Sequence, residues 1–450
     1  MTVKYKLLRF LRKALIYGRF SRYPQRNIAL GYLLYSTIGF LLLLLPWSHR
    51  IACSPIDDLF SAVSAVSTTG LSTVDTSTTY SYFGQIILLI LIQLGGIGYM
   101  TLSSYIFYRM THHSLRYSDE VLKTSIALPE GLSMRTLVRN ILLFTFGFEA
   151  IGAVLLYICF LAKGLDSPLW NAIFISISSF CTAGFSPFSD SLCSLRDSVM
   201  VNIVVTMLAY GGGMGFIVIT DCLQKIRDRE HKVSFTTKVI VFITSLLTII
   251  GTAILAISSH DQFQDVGHCL LSSFFHTMSA MTTVGFNTID ISSLSIFAVL
   301  VLCLIMFVGA SPSGTGGGVK STSISAIYAF VKSRLRPNSE IQIMGHKLPW
   351  YRVDNALTNF VLYLVVFFCG LLILVAVEPL ELSDLLFETL SALGTVGLSL
   401  GITSSLSILG KIVIIVIMFI GRIGVITFAS ALLNRIMRHK GPIQKDDLAV

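Results

Sequence analysis

Charged side chains are scarce in this sequence. Only 13% of its 450 residues are Asp, Glu, Lys or Arg, whereas 54% are hydrophobic. Soluble domains carry about 25% charged residues, so this chain has too little charge to cover a water-facing surface. Many apolar runs approach the roughly 20 residues that a helix needs to cross the hydrocarbon of a bilayer. Because these runs are continuous rather than alternating, they predict an all-α membrane protein and argue against a barrel.

Paired cysteines and a complete nucleotide-binding loop are also absent. Eight cysteines are spread singly between Cys53 and Cys369 without a C-x-x-C pair, so we expect packing roles and no tightly bound transition metal. The stretch "GASPSGTGGGVKST" (309–322) resembles a phosphate-binding loop, but Val319 stands where a glycine must precede Lys320. The chain is therefore not predicted to be an enzyme or to hold a cofactor of its own.

Acidic residues are missing from the first 26 positions. That segment carries only basic charges, at Lys4, Lys6, Arg9, Arg12, Lys13, Arg19, Arg22 and Arg26. Further basic clusters at 225–232, 332–336 and 435–440 alternate along the chain with acidic or mixed segments. This alternation follows the positive-inside rule and predicts a multi-pass plasma-membrane protein with both termini in the cytoplasm. It also accounts for the formal charge of +9 without a nucleic-acid partner.

Four short segments share one pattern. They are "STTGLS" (67–72), "CTAGFS" (181–186), "TTVGFN" (282–287) and "GTVGLS" (394–399). Each follows a half-apolar helix that is too short to span a bilayer, and each precedes an apolar helix with a cluster of small residues. We predict four tandem repeats of helix, re-entrant pore helix, glycine loop and helix around a pseudo-fourfold central pore. The repeats span 27–110, 137–225, 234–335 and 354–437, between a basic segment 1–26 and a tail 438–450, and contribute about eight spanning helices.

The glycine loops have the composition of a cation-binding filter. Irregular backbone survives at membrane depth where it lines water or lies inside protein, and its carbonyl oxygens can replace the water shell of a cation. Glycine brings the backbone close to the ion, and the lack of a carboxylate at the signature position favours a monovalent ion. The candidate ion-binding residues are Thr68, Thr69, Gly70, Thr182, Ala183, Gly184, Thr283, Val284, Gly285, Thr395, Val396 and Gly397.

These repeats resemble the Trk/Ktr/HKT superfamily of potassium transporters over nearly the whole chain. "FETLSALGTVGLSLG" followed by "IVIMFIGRIGVITF" is the most specific stretch, and the chain looks most like the Ktr-type ion-translocating subunit. The resemblance implies a potassium-selective pore, often aided by sodium. It also implies a homodimer docked on a cytosolic ring of nucleotide-binding regulatory (RCK/KTN) subunits. Serine at the first signature position accompanies sodium preference in plant members of the family, so Gly70 implies potassium.

The resemblance also assigns a role to the glycine- and serine-rich interruption of the last helix of the third repeat. It implies an intramembrane gate at 309–319, with candidate residues Gly309, Ser311, Ser313, Gly314, Gly316, Gly317, Gly318 and Lys320. Arg422 lies in an apolar run, where charge is costly and usually functional. We interpret it as an electrostatic barrier beneath the filter, with a buried ion pair to Glu149 or Glu388 as the alternative.

Several structural interpretations stand beside the functional ones. Glu149 is expected to tether a neighbouring helix, Glu388 to anchor its own loop, and His276 to pack without a metal. The small-residue clusters of the second helices are expected to serve close helix packing. Two other functions remain open at this point. One is a sodium-coupled alternating-access transporter, which also uses broken helices but usually in two halves. The other is an intramembrane protease using Ser311 or Ser313.

Overall fold

The computed structural model describes residues 24–98, 134–260, 265–312, 314–336 and 340–433. The basic residues up to position 23, the tail 438–450 and Ser313 of the predicted gate lie outside the described residues. The described chain is mostly helical, with two pairs of two-residue strands. Its helices can be grouped into four successive units.

Each unit contains a first helix, a short re-entrant pore helix and a second helix. The first unit comprises α1 (Pro24–Leu43), α2 (Pro55–Ser67) and α3 (Tyr82–Ile97), and the second comprises α4 (Met134–Ala162), α5 (Pro168–Phe180) and α6 (Val199–Arg227). The third comprises α7 (Phe235–Ser258), α8 (Val266–Thr282), α9 (Ile296–Phe307) and α10 (Ser321–Leu335). The fourth comprises α11 (Trp350–Val377), α12 (Leu382–Gly394), α13 (Ile408–Ile423) and α14 (Val425–Leu433). The pore helices are α2, α5, α8 and α12.

Residue choice at the helix starts explains these boundaries. The second helices all begin after a serine, namely Ser81, Ser198, Ser295 and Ser407. In three of the four the serine hydroxyl accepts a hydrogen bond from a backbone N–H in the first turn, which satisfies a donor that the helix leaves free. Pore helices α2 and α5 begin at a proline, which needs no partner for its nitrogen there.

Five helices are long and apolar enough to cross a membrane, and the bent pair α13–α14 can count as a sixth span. The eight predicted spans also include α3 and α9, which are shorter. α9 stops at Phe307 because the glycine- and serine-rich segment interrupts it, and α3 ends at Ile97, next to Gly98, the last described residue there. Large apolar side chains such as Ile249 and Leu372 are about two-thirds exposed, as lipid contact requires.

The units pack in a closed ring. Within each unit the first and second helices both contact the pore helix. Between units, the second helix contacts the pore helix of the next unit: α3 contacts α5, α6 contacts α8, α9 contacts α12, and α13 returns to α2. The buried apolar side chains form two clusters, one mainly from units one and two and the other mainly from units three and four. This cyclic order sets the four glycine loops side by side.

The turn between α6 and α7 is held together by Asp221, which lies beyond the apolar span Val199–Phe216. Its carboxylate contacts His231 at 2.7 Å and accepts a hydrogen bond from the backbone N–H of Ser234 at 2.8 Å. Burial alone would raise the pKa of Asp221, but hydrogen bonds from His231, Thr237 and Ser234 outweigh it and lower the pKa to about 2. The ionised carboxylate thus stabilises this connection.

Candidate ion pathway and gate

The four glycine loops share one backbone conformation. The threonine two residues before each glycine adopts a left-handed conformation, with φ of 50°, 51°, 59° and 48° for Thr68, Thr182, Thr283 and Thr395. The glycines follow with φ of 94°, 67°, 80° and 92°. The residue between them donates its N–H to a carbonyl one turn back in the pore helix, at 2.8–3.0 Å in every unit. Seven positive-φ residues other than glycine occur in the described chain, and four of them occupy this one register.

The loops touch one another in a ring. A Cβ atom built on Gly70 would lie 2.5 Å from the carbonyl oxygen of Ala183, and one on Gly184 would lie 2.5 Å from that of Val284. The same atom on Gly285 would lie 2.3 Å from the oxygen of Val396, and on Gly397 it would lie 2.0 Å from the oxygen of Thr69. Each glycine therefore abuts the carbonyl of the residue before the next unit's glycine, and the fourth loop returns to the first. All twelve candidate ion-binding residues belong to this ring.

A set of serines behind the loops was missed by the sequence analysis. Ser64, Ser178, Ser279 and Ser391 lie six residues before the four glycines. Ser64 and Ser391 accept hydrogen bonds from the N–H of Gly70 and Gly397 at 3.1 and 3.0 Å. Ser279 donates to the carbonyl of Phe286 at 2.6 Å. The repeat register that located the glycines was sufficient to find these serines, because they recur at a constant offset.

The threonine hydroxyls differ in their partners. Thr182 Oγ1 lies 3.0 Å from Thr315 Oγ1, and Thr283 Oγ1 accepts from the N–H of Gly317 at 3.2 Å. The Oγ1 atoms of Thr68 and Thr395 are buried without a hydrogen-bond partner in the described chain. Buried polar atoms are seldom unpaired, and an unpaired one in a native structure calls for an explanation such as an ion or water.

The four pore helices end on one side of the ring, which we call its inner side. The predicted gate lies directly against this inner side. Strands β1 (Val308–Gly309) and β2 (Val319–Lys320) pair in parallel and bring the two ends of the loop together. Within the loop, Ser311 N donates to the carbonyl of Gly213 and Thr315 N to that of Gly212, at 3.1 and 3.0 Å. The loop is therefore attached to α6 of the second unit as well as to the threonines of the ring.

Close approach explains the glycines of this loop. A Cβ atom on Gly314 would lie 2.0 Å from the carbonyl oxygen of Gly213. On Gly316 it would lie 2.4 Å from Thr283 Oγ1, and on Gly317 it would lie 2.3 Å from Thr395 Oγ1. Gly316 and Gly317 thus leave no room for a side chain between the loop and the filter, and Gly314 leaves none between the loop and α6. Gly318 adds a positive φ of 72°.

Arg422 joins this loop to the first unit. Its guanidinium donates to the carbonyl oxygens of Thr315 and Gly95. The alternative of an ion pair with Glu149 or Glu388 does not occur among the described residues. Lys320, at the end of the loop, donates from Nζ to the carbonyl of Gly316 at 2.6 Å. Two cationic groups thus lie on the inner side of the ring, next to a cavity of 370 Å³ that both of them line.

Glu149 and Glu388 hold neighbouring elements instead. Glu149 accepts from Gln93 Nε2 at 2.9 Å and lies 3.7 Å from the thiol of Cys181, so it links α4 to α3 and to the second glycine loop. Glu388 accepts hydrogen bonds from Ser399 and Thr403, which follow its own glycine loop. These contacts support the structural interpretation of both carboxylates.

His276 also has a packing environment. Its Nε2 accepts from the N–H of Thr288 at 3.3 Å, so its Nδ1 carries the proton that is donated to the carbonyl of Ser272 at 2.8 Å. His268, eight residues earlier, lies against Asp197 instead. The two histidines therefore have separate partners.

The glycine clusters of the second helices serve two purposes. A Cβ atom on Gly95, Gly212 or Gly421 would lie 1.8–2.2 Å from a carbonyl oxygen at the end of a pore helix, which is the close packing that the sequence predicted. The clusters also break the helices. Gly98 and Gly424 have φ of 83° and 90°, and α13 and α14 meet at 100° across the second of these. Gly98 and Gly424 both line the cavity on the inner side of the ring.

These features define a multi-pass membrane protein in which four re-entrant glycine loops surround a common axis. The family described as cation transport protein (TrkH) matches residues 33–442. The chain belongs to this family, and the predicted relationship to the Trk/Ktr superfamily is confirmed.

Individual relatives match over almost their full length. The chain is 35% identical to the Ktr system potassium uptake protein B of Bacillus subtilis, covering 92% of this chain and 94% of the relative. It is 32% identical to the potassium/sodium uptake protein NtpJ of Enterococcus hirae, with coverage of 92% and 94%. The crystal structure of the potassium transporter TrkH from Vibrio parahaemolyticus superposes with a TM-score of 0.74 at 21% identity, covering 93% of this chain and 86% of that structure. That likeness supports the fold.

Proposed function

We propose that this protein takes up potassium across the cell membrane through a channel-like pore whose filter is the ring of four glycine loops. The observation that carries the proposal is the cyclic contact of each glycine with the carbonyl-bearing residue of the next unit. Relatives that are named as potassium uptake proteins support the choice of ion.

The ring suits a dehydrated monovalent cation. Thr69, Ala183, Val284 and Val396 contribute main-chain carbonyls, which can replace the water shell of an alkali ion. The loops themselves carry no carboxylate. The C-terminal ends of the four pore helices point towards the inner side of the ring, and their dipoles place partial negative charge there. A monovalent cation is thus stabilised at this position without a fixed full charge.

The loop 309–319 is the gate in this proposal. It abuts the threonines of the ring on their inner side, where an ion leaving the filter would pass. Arg422 adds positive charge next to it and opposes a cation at that point. Opening requires the loop to give up its contacts with α6, with the threonines and with Arg422, and the paired strands β1 and β2 hold its ends while it moves.

The partners and coupling follow from the same proposal. Relatives named as components of a Ktr system support a protein that works with other subunits. The proposed form is a homodimer on a cytosolic ring that binds the regulatory nucleotide, with both termini in the cytoplasm. A relative named for potassium and sodium uptake supports sodium assistance. A closed ring of four similar units counts against the alternating-access alternative, which usually uses two halves.

The test is potassium uptake by the protein itself. Expression in bacteria that lack their own potassium uptake is expected to restore growth on low potassium, more strongly with a Ktr-type regulatory subunit. Purified protein in liposomes is expected to pass rubidium. Absence of both growth rescue and rubidium flux, in protein that is present and folded in the membrane, would contradict the proposal.

A further inference from the structure

Three potential metal ligands converge next to the first pore helix, away from the ion pathway. His49 follows the turn Pro46–Ser48 after α1, Cys53 lies in the link to α2, and Asp58 lies in the first turn of α2. They form the one group of at least three His, Cys, Asp or Glu ligands found within the described ranges. No C-x-x-C pair marks this group in the sequence, and no transition-metal site was predicted there.

The ligand atoms have the spacing of a tetrahedral site. His49 Nε2 lies 2.9 Å from Asp58 Oδ1, Cys53 Sγ lies 3.4 Å from His49 Nε2, and Cys53 Sγ lies 3.3 Å from Asp58 Oδ1. Around Zn²⁺, bond lengths of about 2.0–2.3 Å separate neighbouring ligand atoms by about 3.3–3.6 Å. Shifts of a few tenths of an ångström therefore bring all three atoms to bonding distance of one central ion.

The surrounding chain fixes these side chains in place. The side chain of Asp58 is 2% exposed and that of His49 is 15% exposed, so the group is largely sheltered but open on one side. Tyr80 is fully buried, pairs through its backbone with His49, and donates its hydroxyl to Asp58 Oδ1 at 3.1 Å. A hydrogen bond that orients a ligating carboxylate is typical of the surroundings of a metal.

We propose that His49, Cys53 and Asp58 bind a single Zn²⁺ ion, with water in the fourth position. The donor set decides the class of metal. Thiolate and imidazole favour Zn²⁺ and similar transition metals over the alkali and alkaline-earth ions, which prefer oxygen. On binding, the Cys53 thiol releases its proton to solvent and its sulfur bonds to the metal. The ion would join the start of α2 to the chain that leads into it.

The test uses purified full-length protein and Co²⁺, whose bond to a thiolate gives a charge-transfer absorption band. Wild-type protein is expected to develop this band with one equivalent of Co²⁺ and to lose it when Zn²⁺ is added. Cys53→Ser is expected to lack the band, and His49→Gln to need about tenfold more Co²⁺, in keeping with a lost ligand. Cys193→Ser is the matched control, because Cys193 is another half-buried cysteine outside the cluster, and it is expected to behave as wild type.

A second measurement covers the case in which a variant does not fold. In wild-type protein, Zn²⁺ is expected to protect Cys53 from alkylation, while Cys193 is labelled equally with and without the ion. Absence of the Co²⁺ band from wild type, a band that persists in folded Cys53→Ser, or alkylation of Cys53 unchanged by Zn²⁺ would overturn the proposal. These readouts do not involve ion transport, so their failure leaves the proposed function unaffected.

Discussion

A methyl group at Gly397 is expected to disrupt the ring of filter loops. Gly397 and Gly401 both have φ of 92°, so replacing either by alanine imposes the same backbone strain, about 1–2 kcal/mol. Their surroundings differ. A Cβ atom on Gly397 would lie 2.0 Å from the carbonyl oxygen of Thr69, where ordinary contact begins at 3.4 Å, whereas nothing lies within 4 Å of one on Gly401. Gly401→Ala is therefore a control for strain alone.

The magnitude follows from the displaced carbonyl. Thr69 must move by more than 1 Å to accept the methyl group, since the shortfall is the difference between 3.4 and 2.0 Å. A polar contact to a charged group is worth about 1.5–3 kcal/mol, so withdrawing one carbonyl from the ion is expected to reduce potassium uptake about 10- to 150-fold. Gly401→Ala is expected to retain uptake within about threefold once folded, because its strain falls equally on the resting and conducting protein.

Rubidium uptake into liposomes, normalised to the amount of protein that elutes as folded, measures both variants. Equal losses in the two variants would show that backbone strain rather than ring contact is responsible. Unchanged uptake in folded Gly397→Ala would refute the carbonyl-ring argument itself, because the clash is with main chain that cannot rotate away.

Four further predictions follow from the structure. Gly70→Ser is expected to raise the sodium flux relative to the potassium flux about 5- to 30-fold. This change is equivalent to losing about 1–2 kcal/mol of preference for potassium over sodium. Unchanged flux ratios in liposomes would contradict this prediction. Arg422→Gln is expected to raise basal rubidium flux several-fold because the gate loses its donated hydrogen bonds, and folded protein with unaltered flux would exclude the barrier role. Deletion of residues 311–318 is expected to raise flux further if the loop gates the pore, whereas loss of folded protein on gel filtration would indicate a structural loop. The pKa of Asp221, about 2 when folded against an ordinary value of 3.8, implies stability that is present above pH 4 and lost as the pH falls towards 2. Asp221→Asn is expected to lower stability at pH 7 by about 0.2–1 kcal/mol, the range of exposed charged contacts, and to abolish this part of the acid dependence in thermal unfolding. An unchanged acid dependence in the variant would contradict this prediction.

The sequence by itself determined the class of fold and the location of the glycine loops. Scarce charge and long apolar runs require a membrane setting, and the recurrence of Gly70, Gly184, Gly285 and Gly397 in one register identifies the repeats. Both signals can be read from the order of residues along the chain, without knowing which segments touch in the fold. The serines behind the loops recur six residues before these glycines, so the sequence alone is also sufficient to locate them.

Only the tertiary structure decided which units touch and in what order. No local pattern places the carbonyl of Ala183 against Gly70, or closes the ring from Gly397 back to Thr69, because these contacts depend on how second helices pack on the next unit's pore helix. The sequence likewise left the partners of Arg422 undecided, because an arginine can form either an ion pair or hydrogen bonds to main-chain carbonyls. The structure shows the latter. The meeting of His49 with Cys53 and Asp58 depends on the turn before α2, whose path the spacing of the three residues does not reveal.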